Sequence, residues 1–326
     1  MIDMVELEVP SEEVDRLLND GRFKLEKEEY HKNGYPKKTI KVNDSYRLIY
    51  IHPLGSFNGK LFVKTSVHKL FNLQNFGEGH NYDRFTYGKL IESIKIIERD
   101  LNIRCNQLIV RNIEFGLNIK IQKEPRQFIE SNIISFKDKT PNIQNNFEGS
   151  GFLSRYYLKE YELKIYDKSM QYNLDQHVLR VEMKTHRMSK VKMSGISFLS
   201  DLGNKAILKN LMEILLKHCQ QLLIIDTLSF NDIPCNDSYF ISKYIFPKSI
   251  IALSSKDKRK VKNKMNKLLR KYHYLNEKDF ILAQIELLWE ELLNDIDDIN
   301  PPVVLPLRRI STIDSSFGQI LTRVLV

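Results

Sequence analysis

The sequence predicts an α+β fold, in which strands and a few helices precede a helical C-terminal part. Side chains alternate between apolar and polar in three segments between residues 107 and 188, as in strands with one buried face. After about residue 195, apolar side chains recur at helical spacing instead. We therefore expect an α+β part over residues 1–197 and a mainly helical, basic part over residues 198–326.

The N-terminal third of the chain predicts a mixture of helices and short strands. Residues 1–20 are expected to form a helix, because Val5 and Val9 roughly follow one helical face. Short strands broken by glycine and asparagine follow over residues 39–65. Residues 86–99 then place their apolar side chains on one face of a second helix.

A long strand is predicted over residues 107–122, where apolar and polar side chains alternate. Ile113 and Leu117 belong to the apolar set, and Glu114 and Asn118 belong to the polar set. Because successive side chains of a strand point to opposite faces, this segment is expected to have one buried and one polar face.

Two further strands are predicted over residues 161–170 and 177–188, and the short linker between them favours an antiparallel hairpin. Their polar sides carry charged or phenolic side chains: Lys164, Tyr166, Lys168, Arg180, Glu182 and His186. If these strands share a sheet with the preceding one, their polar sides form a common surface with Glu114.

This surface would have the residue types that bind a hard cation and a phosphate. Glu114 and Glu182, with Asn118 or His186 beside them, predict a site for Mg²⁺ or Mn²⁺. Lysine and arginine would neutralise phosphate oxygens, and a nearby tyrosine is a suitable nucleophile. The same alternation also fits an ordinary solvated sheet face with cross-strand ion pairs, so both interpretations stay open.

The C-terminal part predicts helices over residues 205–224, 256–272 and 277–295. The middle helix has nine lysines and arginines around a narrow apolar seam, so it is suited to docking by the seam and binding DNA phosphates. A solvated charged helix is the alternative. The predicted DNA-binding residues of this helix are Lys258, Arg259, Lys260, Lys262, Lys264, Lys267, Arg270 and Lys271. The last helix, with Trp289, is expected to pack in the core, although a homodimer could use it.

Composition excludes several classes of protein. The chain has 326 residues, a net charge of +9 and a pI of about 9.2, which favours a polyanionic partner such as nucleic acid or an anionic membrane surface, although the charge also fits plain solubility. Three widely spaced cysteines argue against a disulfide framework or a thiolate zinc site. No signal peptide and no apolar run of about 20 residues is visible, so we expect a cytoplasmic protein without a membrane partner.

The order of four segments resembles that of rolling-circle replication initiators. These are LFVKTSVHKLFNLQNFGEGHNYDRF, RNIEFGLNI, LKIYDKSMQYNL and LRVEMKTHRM. The resemblance is to the Rep-trans-like plasmid initiators and to the gene II-type replication proteins of filamentous phages, and it covers about residues 60–225. It implies a curved antiparallel sheet with flanking helices, and binding of single- and double-stranded DNA at a replication origin.

The resemblance also implies an activity, in which a tyrosine nicks one strand at the origin and stays linked to the 5′ phosphate with the help of a divalent metal. Glu114 and Glu182 would hold the metal. Tyr166 would be the nucleophile or lie beside it. Tyr172 could substitute for it, and Tyr156 and Tyr157 are further candidates.

The remaining matched residues would support this reaction. Lys168 would contact the scissile phosphate, Arg180 would neutralise its charge, and Lys164 would add a DNA contact. The chain departs from the family pattern at Asn118, where plasmid members tend to carry an acidic residue. A DNA-binding protein of a mobile element without nicking activity, or an RNA-binding module, remain the alternatives.

Overall fold

The structure is a computed structural model. It describes residues 1–32, 34–42, 46–52, 59–137, 139–148, 151–191, 194–228 and 233–296. Within these residues, ten strands form one antiparallel sheet and two further strands pair with each other. The predicted α+β class, with an antiparallel sheet, flanking helices and a helical C-terminal part, is confirmed. Residues 297–326, the end of the predicted basic part, lie outside the described residues.

The sheet places the N-terminal strand near its middle. In chain order the strands are β1 (Ile2–Glu8), β2 (Lys24–Tyr30), β3 (Pro36–Lys41), β4 (Tyr46–Ile51), β5 (Lys60–Ser66), β6 (Ile109–Lys120), β7 (Ile133–Phe136), β8 (Asn142–Phe147), β9 (Gly151–Tyr157), β10 (Tyr161–Asp167), β11 (Val178–Thr185) and β12 (Leu222–Ile224). The order across the large sheet is β2-β3-β4-β5-β1-β6-β11-β10-β9-β8, and β12 pairs with β7.

Of the helices predicted in the second half of the chain, those over residues 256–272 and 277–295 are confirmed. The one predicted over residues 205–224 ends at Cys219, because residues 222–224 form β12 and pair with β7. Ten α-helices are present in the described residues. They are α1 (Val14–Leu18), α2 (Val67–Phe76), α3 (Tyr87–Leu101), α4 (Pro125–Asn132), α5 (Lys168–Tyr172), α6 (Lys205–Cys219), α7 (Cys235–Tyr244), α8 (Pro247–Ile251), α9 (Ser255–Lys271) and α10 (Asn276–Leu293). Over the part of the chain that the structure describes, no helix is both long and apolar enough to cross a bilayer.

The prediction of a helix over residues 1–20 is wrong for most of that segment. Residues 2–8 form strand β1, and only the short helix α1 follows. The reason is a period of two: Val5 and Leu7 are fully buried, whereas Glu6 and Glu8 between and after them are half-exposed. β1 pairs with β5 and β6, so tertiary pairing outweighs the weak helical spacing of the valines.

Strand β6 is the predicted long strand, and Ile113, Phe115 and Leu117 of its apolar side are buried. Arg111 breaks the alternation because the pairing with β1 shifts register between Asn112 and Val110. This bulge places Arg111 outside, where it forms an ion pair with Glu8.

At the centre of β6, the backbone of β11 approaches so closely that residue 116 must be a glycine. Gly116 pairs with Glu182 of β11, and a Cβ at this position would lie 2.1 Å from the Val181 carbonyl oxygen and 2.6 Å from the Glu182 Cα. No side chain fits there without moving the backbone, so a glycine is required.

Helices on both sides of the predicted boundary pack against the sheet. The buried residues of α6 and α10 belong to the same core as those of β6, β10 and β11. The Trp289 ring meets the Phe115 ring edge-on, with 6.4 Å between the centroids. Helix α10 therefore packs in the core, as the sequence predicts. A second cluster joins Met265 and Leu268 of α9 with Ile134 and Leu223. The boundary near residue 197 stays a prediction.

Candidate functional site

The sheet register brings the predicted polar residues of three strands onto one surface. Lys164 of β10 pairs directly with Glu182 of β11, and Arg180 pairs with Asn118 of β6. Because directly paired residues share a face, the side chains of this surface lie side by side. We call it the polar face and define it by Glu114, Asn118, Lys164, Tyr166, Arg180, Glu182 and Lys184.

Two glutamates share one lysine at the centre of the polar face. The Lys164 ammonium donates to Glu114 Oε2 over 2.7 Å and also to Glu182 Oε1. Lys184 forms an ion pair of 2.6 Å with the other oxygen of Glu114. The side chains of Lys164, Glu114 and Glu182 are buried, with relative exposures of 6%, 7% and 2%. The group is therefore a buried ion-pair network and not a solvated surface.

The two glutamates have opposite pKa shifts. Burial raises the pKa of Glu114, and the neighbouring Glu182 carboxylate raises it further. Burial alone would also raise the pKa of Glu182, but Lys164 and Arg180 lower it well below its usual range. Glu182 is consequently the carboxylate that stays ionised in the network.

Arg180 links this network to an acidic residue of the N-terminal strand. Its guanidinium donates to Glu182 Oε2, Asn118 Oδ1 and Asp3 Oδ2, each over 3.2 Å. Burial would raise the pKa of Asp3, but Arg180, together with Lys168 and His68, lowers it overall. Asp3 was not among the predicted site residues, because residues 1–20 were expected to be helical. The alternation of Val5, Leu7 and Val9 was the signal that places β1 in the sheet.

Asn81, in the loop between α2 and α3, connects Asp3 to the residues that follow β10. Its amide nitrogen donates to both Asp3 oxygens, over 3.1 and 2.9 Å. Its amide oxygen accepts from the Lys168 ammonium over 2.7 Å and from the Tyr172 hydroxyl over 2.8 Å. Asn118 holds this loop, since its side chain donates to the Asn81 carbonyl over 3.2 Å. Asn81 therefore positions a lysine and a tyrosine next to each other.

Lys168 is buried where β10 ends and α5 begins. Asp167 caps α5 by accepting from the Met170 amide over 2.8 Å, which turns the chain directly after the strand. The Lys168 ammonium lies 5.3 Å from the centroid of the Tyr166 ring and 4.8 Å from that of Tyr172. Burial lowers the pKa of Lys168 to about 7, so part of the population has a neutral amine at neutral pH.

The four candidate tyrosines differ in accessibility. Tyr166 is buried with its hydroxyl 3.3 Å from Glu182 Oε2, and burial raises its pKa well above the ordinary value. Tyr172 is half-buried, and Lys69 opposes the rise in pKa that burial causes there. Tyr156 packs in the core, and Tyr157 is exposed with its hydroxyl bound to Arg155.

A histidine and aspartate pair lies next to Asn81. The Asp83 carboxylate is 2.7 Å from His68 Nε2 and 3.2 Å from His80 Nδ1. Burial lowers the pKa of His68 to about 4, although Asp83 favours the charged form. A cleft of about 430 Å³ opens at this point, and His68, Asp83, Asn118 and Arg180 are part of its lining. The cleft therefore borders the polar face at Asn118 and Arg180.

Some predicted residues lie elsewhere. His186 is on the surface after the end of β11 and lies outside the polar-face network. On α9, Lys262 is half-buried and donates to the Gln221 carbonyl, and Lys271 forms an ion pair of 3.2 Å with Asp237. The other predicted α9 residues are exposed or half-exposed on the side away from the apolar seam: Lys258, Arg259, Lys260, Lys264, Lys267 and Arg270.

The glutamates do not fit the predicted metal. All four of their oxygens already accept hydrogen bonds or ion pairs from Lys164, Lys184 or Arg180, and Lys164 lies between them. A hard cation needs free oxygen ligands, and Lys164 stands where such a cation would be. Among the described residues, no group of three histidine, cysteine or acidic side chains has an arrangement that could hold a metal ion.

Comparison with solved structures shows a likeness in fold. The sequence matches no protein-family model. It also matches no curated protein. The solved structure of the rolling-circle replication initiator protein from Geobacillus stearothermophilus is similar to this chain with a TM-score of 0.40 and 14% sequence identity. The likeness covers 72% of this chain and 89% of that one.

Proposed function

We propose that this protein is a replication initiator that binds DNA and nicks one strand through Tyr172. The observation that carries the proposal is the convergence of Tyr172 and Lys168 on the single amide oxygen of Asn81, at 2.8 and 2.7 Å. A buried amine next to a phenol can act as the base that activates the phenol as a nucleophile. Tyr172 is only half-buried, so its hydroxyl is accessible to a substrate. The order of the sequence segments and the basic helix α9 agree with a DNA substrate.

The proposed reaction is one displacement at phosphorus. The Tyr172 oxygen forms a bond to phosphorus, and the bond between phosphorus and the 3′ oxygen breaks. The neutral amine of Lys168 takes the Tyr172 proton, and the leaving 3′ oxygen takes a proton from water. The products are a free 3′ hydroxyl and a 5′ phosphate linked to Tyr172.

Neighbouring cations would stabilise the negative charge on the phosphate. Arg180 bonds to Asp3, which Asn81 also contacts, and Lys69 lies beside Tyr172. Tyr166 is placed to support this site, because its hydroxyl already bonds to Glu182 and the ring packs against Lys168. No step of the proposed reaction passes through a metal ion.

The exposed cations of α9 would hold the DNA. The apolar seam of α9 is buried, as the sequence predicts, and most of the lysines and arginines of this helix stay accessible. The seam consists of Val261, Met265, Leu268 and Leu269. Phosphate contacts of this kind give affinity without sequence preference and weaken with salt.

The proposal is tested with supercoiled plasmids that together cover the genetic element encoding this chain. We expect one plasmid to be relaxed, with protein attached to the 5′ end of the nicked strand. Binding without relaxation of any plasmid would favour the second candidate, a DNA-binding protein of a mobile element without nicking activity. The basic surface of α9 is the observation that favours this second candidate, since it needs no active site.

A further inference from the structure

The lysine between the two glutamates follows from the sheet register as well as from side-chain placement. Lys164 is paired with Glu182 across β10 and β11, and Lys184 is paired with Glu114 across β11 and β6. Directly opposite side chains on one face of an antiparallel pair are within reach of each other in any rotamer that stays on that face. The register thus places Lys164 opposite Glu182 and Lys184 opposite Glu114, and the side chain of Lys164 then extends to Glu114 as well.

A divalent cation would have to displace Lys164 from this network. Lys164 is 6% exposed and its ammonium bonds to both carboxylates, so withdrawing it would leave a buried charge without its partners. Breaking a buried ion pair in this way is strongly unfavourable. Glu182 would also have to release Arg180, which bonds to its second oxygen over 3.2 Å.

We propose that Lys164 is the resident cation of the polar face, holding the position between Glu114 and Glu182 that a divalent metal would otherwise take. The protein then binds no Mg²⁺ or Mn²⁺ at these glutamates. A consequence, which rests on the proposed function, is that strand cleavage does not require a divalent metal.

Binding of Mn²⁺ to the full-length protein tests the first statement without any assay of activity. After treatment with a chelator, the wild-type protein is titrated with Mn²⁺, and free Mn²⁺ is followed by electron paramagnetic resonance. We expect no saturable binding that depends on Glu182. One bound Mn²⁺ per chain that is lost in Glu182→Gln would overturn the proposal.

Substitution of Lys164 is the second test, in which we expect Mn²⁺ binding to appear. Lys164→Met removes the ammonium and leaves two carboxylates facing each other, so we expect this variant to gain Mn²⁺ binding, seen also as a rise in its melting temperature when Mn²⁺ is added. Lys159→Met, at an exposed position, is the matched control and should gain nothing. A folded Lys164→Met that gains no Mn²⁺ binding would count against the proposal; if it fails to fold, the wild-type titration decides.

The consequence for activity is tested on the plasmid that the protein relaxes. We expect relaxation and covalent attachment to persist in excess chelator. Cleavage that appears only when Mg²⁺ or Mn²⁺ is added would overturn the metal-free step and leave the proposed nicking function standing. Absence of cleavage under every condition would overturn the proposed function itself. The Mn²⁺ titration would still test whether Lys164 occupies the metal position.

Discussion

The Lys164 ammonium and the Glu182 carboxylate face each other across β10 and β11 and form a buried ion pair at the centre of the sheet. Glu114 completes the group by accepting from the same ammonium over 2.7 Å. Cross-strand ion pairs were one of the two interpretations that the sequence left open. The structure shows that these pairs exist and are buried, which makes the acidic residues important for stability whatever their chemical role.

Removing one member of this network should destabilise the fold. Glu182→Ala leaves Lys164 and Arg180 buried without their shared acceptor, so we expect a loss of about 3–5 kcal/mol in the free energy of unfolding. Glu130→Ala is the control, because Glu130 forms only a surface pair of 3.5 Å with Arg126 and should cost less than about 1 kcal/mol. Urea denaturation measures both, and similar losses would contradict the buried network.

The close approach of β6 and β11 gives a second prediction about stability. Gly116→Ala introduces a Cβ within 2.6 Å of the Glu182 Cα, so the strands must separate, at a cost of about 3 kcal/mol or more. Gly21→Ala is the matched control, because nothing lies within 4 Å of its Cβ position. Thermal unfolding of the two variants should differ clearly, and an unchanged Gly116→Ala protein would show that the strands are further apart.

The pH dependence of cleavage should report Lys168. The proposed reaction needs its neutral amine, and the pKa of Lys168 is lowered to about 7, so the rate of covalent attachment should rise as pH increases through about 7 and then level off. Lys168→Arg stays protonated and should lose this rise together with most of the rate. If the pH profile of covalent attachment keeps the same midpoint in Lys168→Arg, a group other than Lys168 controls the rate.

The same shift predicts a change of stability with pH. Between about pH 7 and the ordinary lysine pKa of 10.5, the unfolded chain binds the Lys168 proton more strongly than the folded chain does. The contribution of Lys168 to the free energy of unfolding therefore increases as pH rises through that window. The difference between wild type and Lys168→Met, measured by urea denaturation at several pH values, isolates this contribution, and a difference that stays constant would contradict it.

Charge reversal on α9 should weaken DNA binding. Replacing Arg259, Lys260 and Lys267 by glutamate removes exposed cations and leaves the buried seam intact. We expect lower affinity and a shallower dependence of log affinity on log salt, by about 0.9 for each lost contact to duplex phosphate. The control reverses exposed Lys95, Lys159 and Lys217, which changes the net charge equally. Equal losses in both variants would mean that only the net charge matters.

The sequence was sufficient to predict the polar face but not the residues from other segments that contact it. Alternation in β6, β10 and β11 assigned Glu114, Lys164 and Glu182 to one side of their strands, and antiparallel pairing then brought them together. The partners of this set come from distant segments: Asp3 from β1 and Asn81 from the loop after α2. Their contacts depend on the order of strands in the sheet, which local periodicity does not contain.

The choice among the tyrosines also needed the structure. Tyr166 has the strand parity of the polar face, and on parity alone it was the first candidate for the nucleophile. Its burial against Glu182 and the turn of the chain at Asp167 leave Tyr172 nearer to solvent. The helix α5 that makes this turn is only five residues long, too short for its periodicity to be recognised.

The most direct test of the account is to identify the residue that becomes linked to DNA. The relaxed plasmid is digested with nuclease and protease, and mass spectrometry locates the modified peptide. We expect the nucleotide on Tyr172, complete loss of the adduct in Tyr172→Phe, and normal adduct in Tyr157→Phe. An adduct on any other residue, or an adduct that persists in Tyr172→Phe, would contradict the central claim.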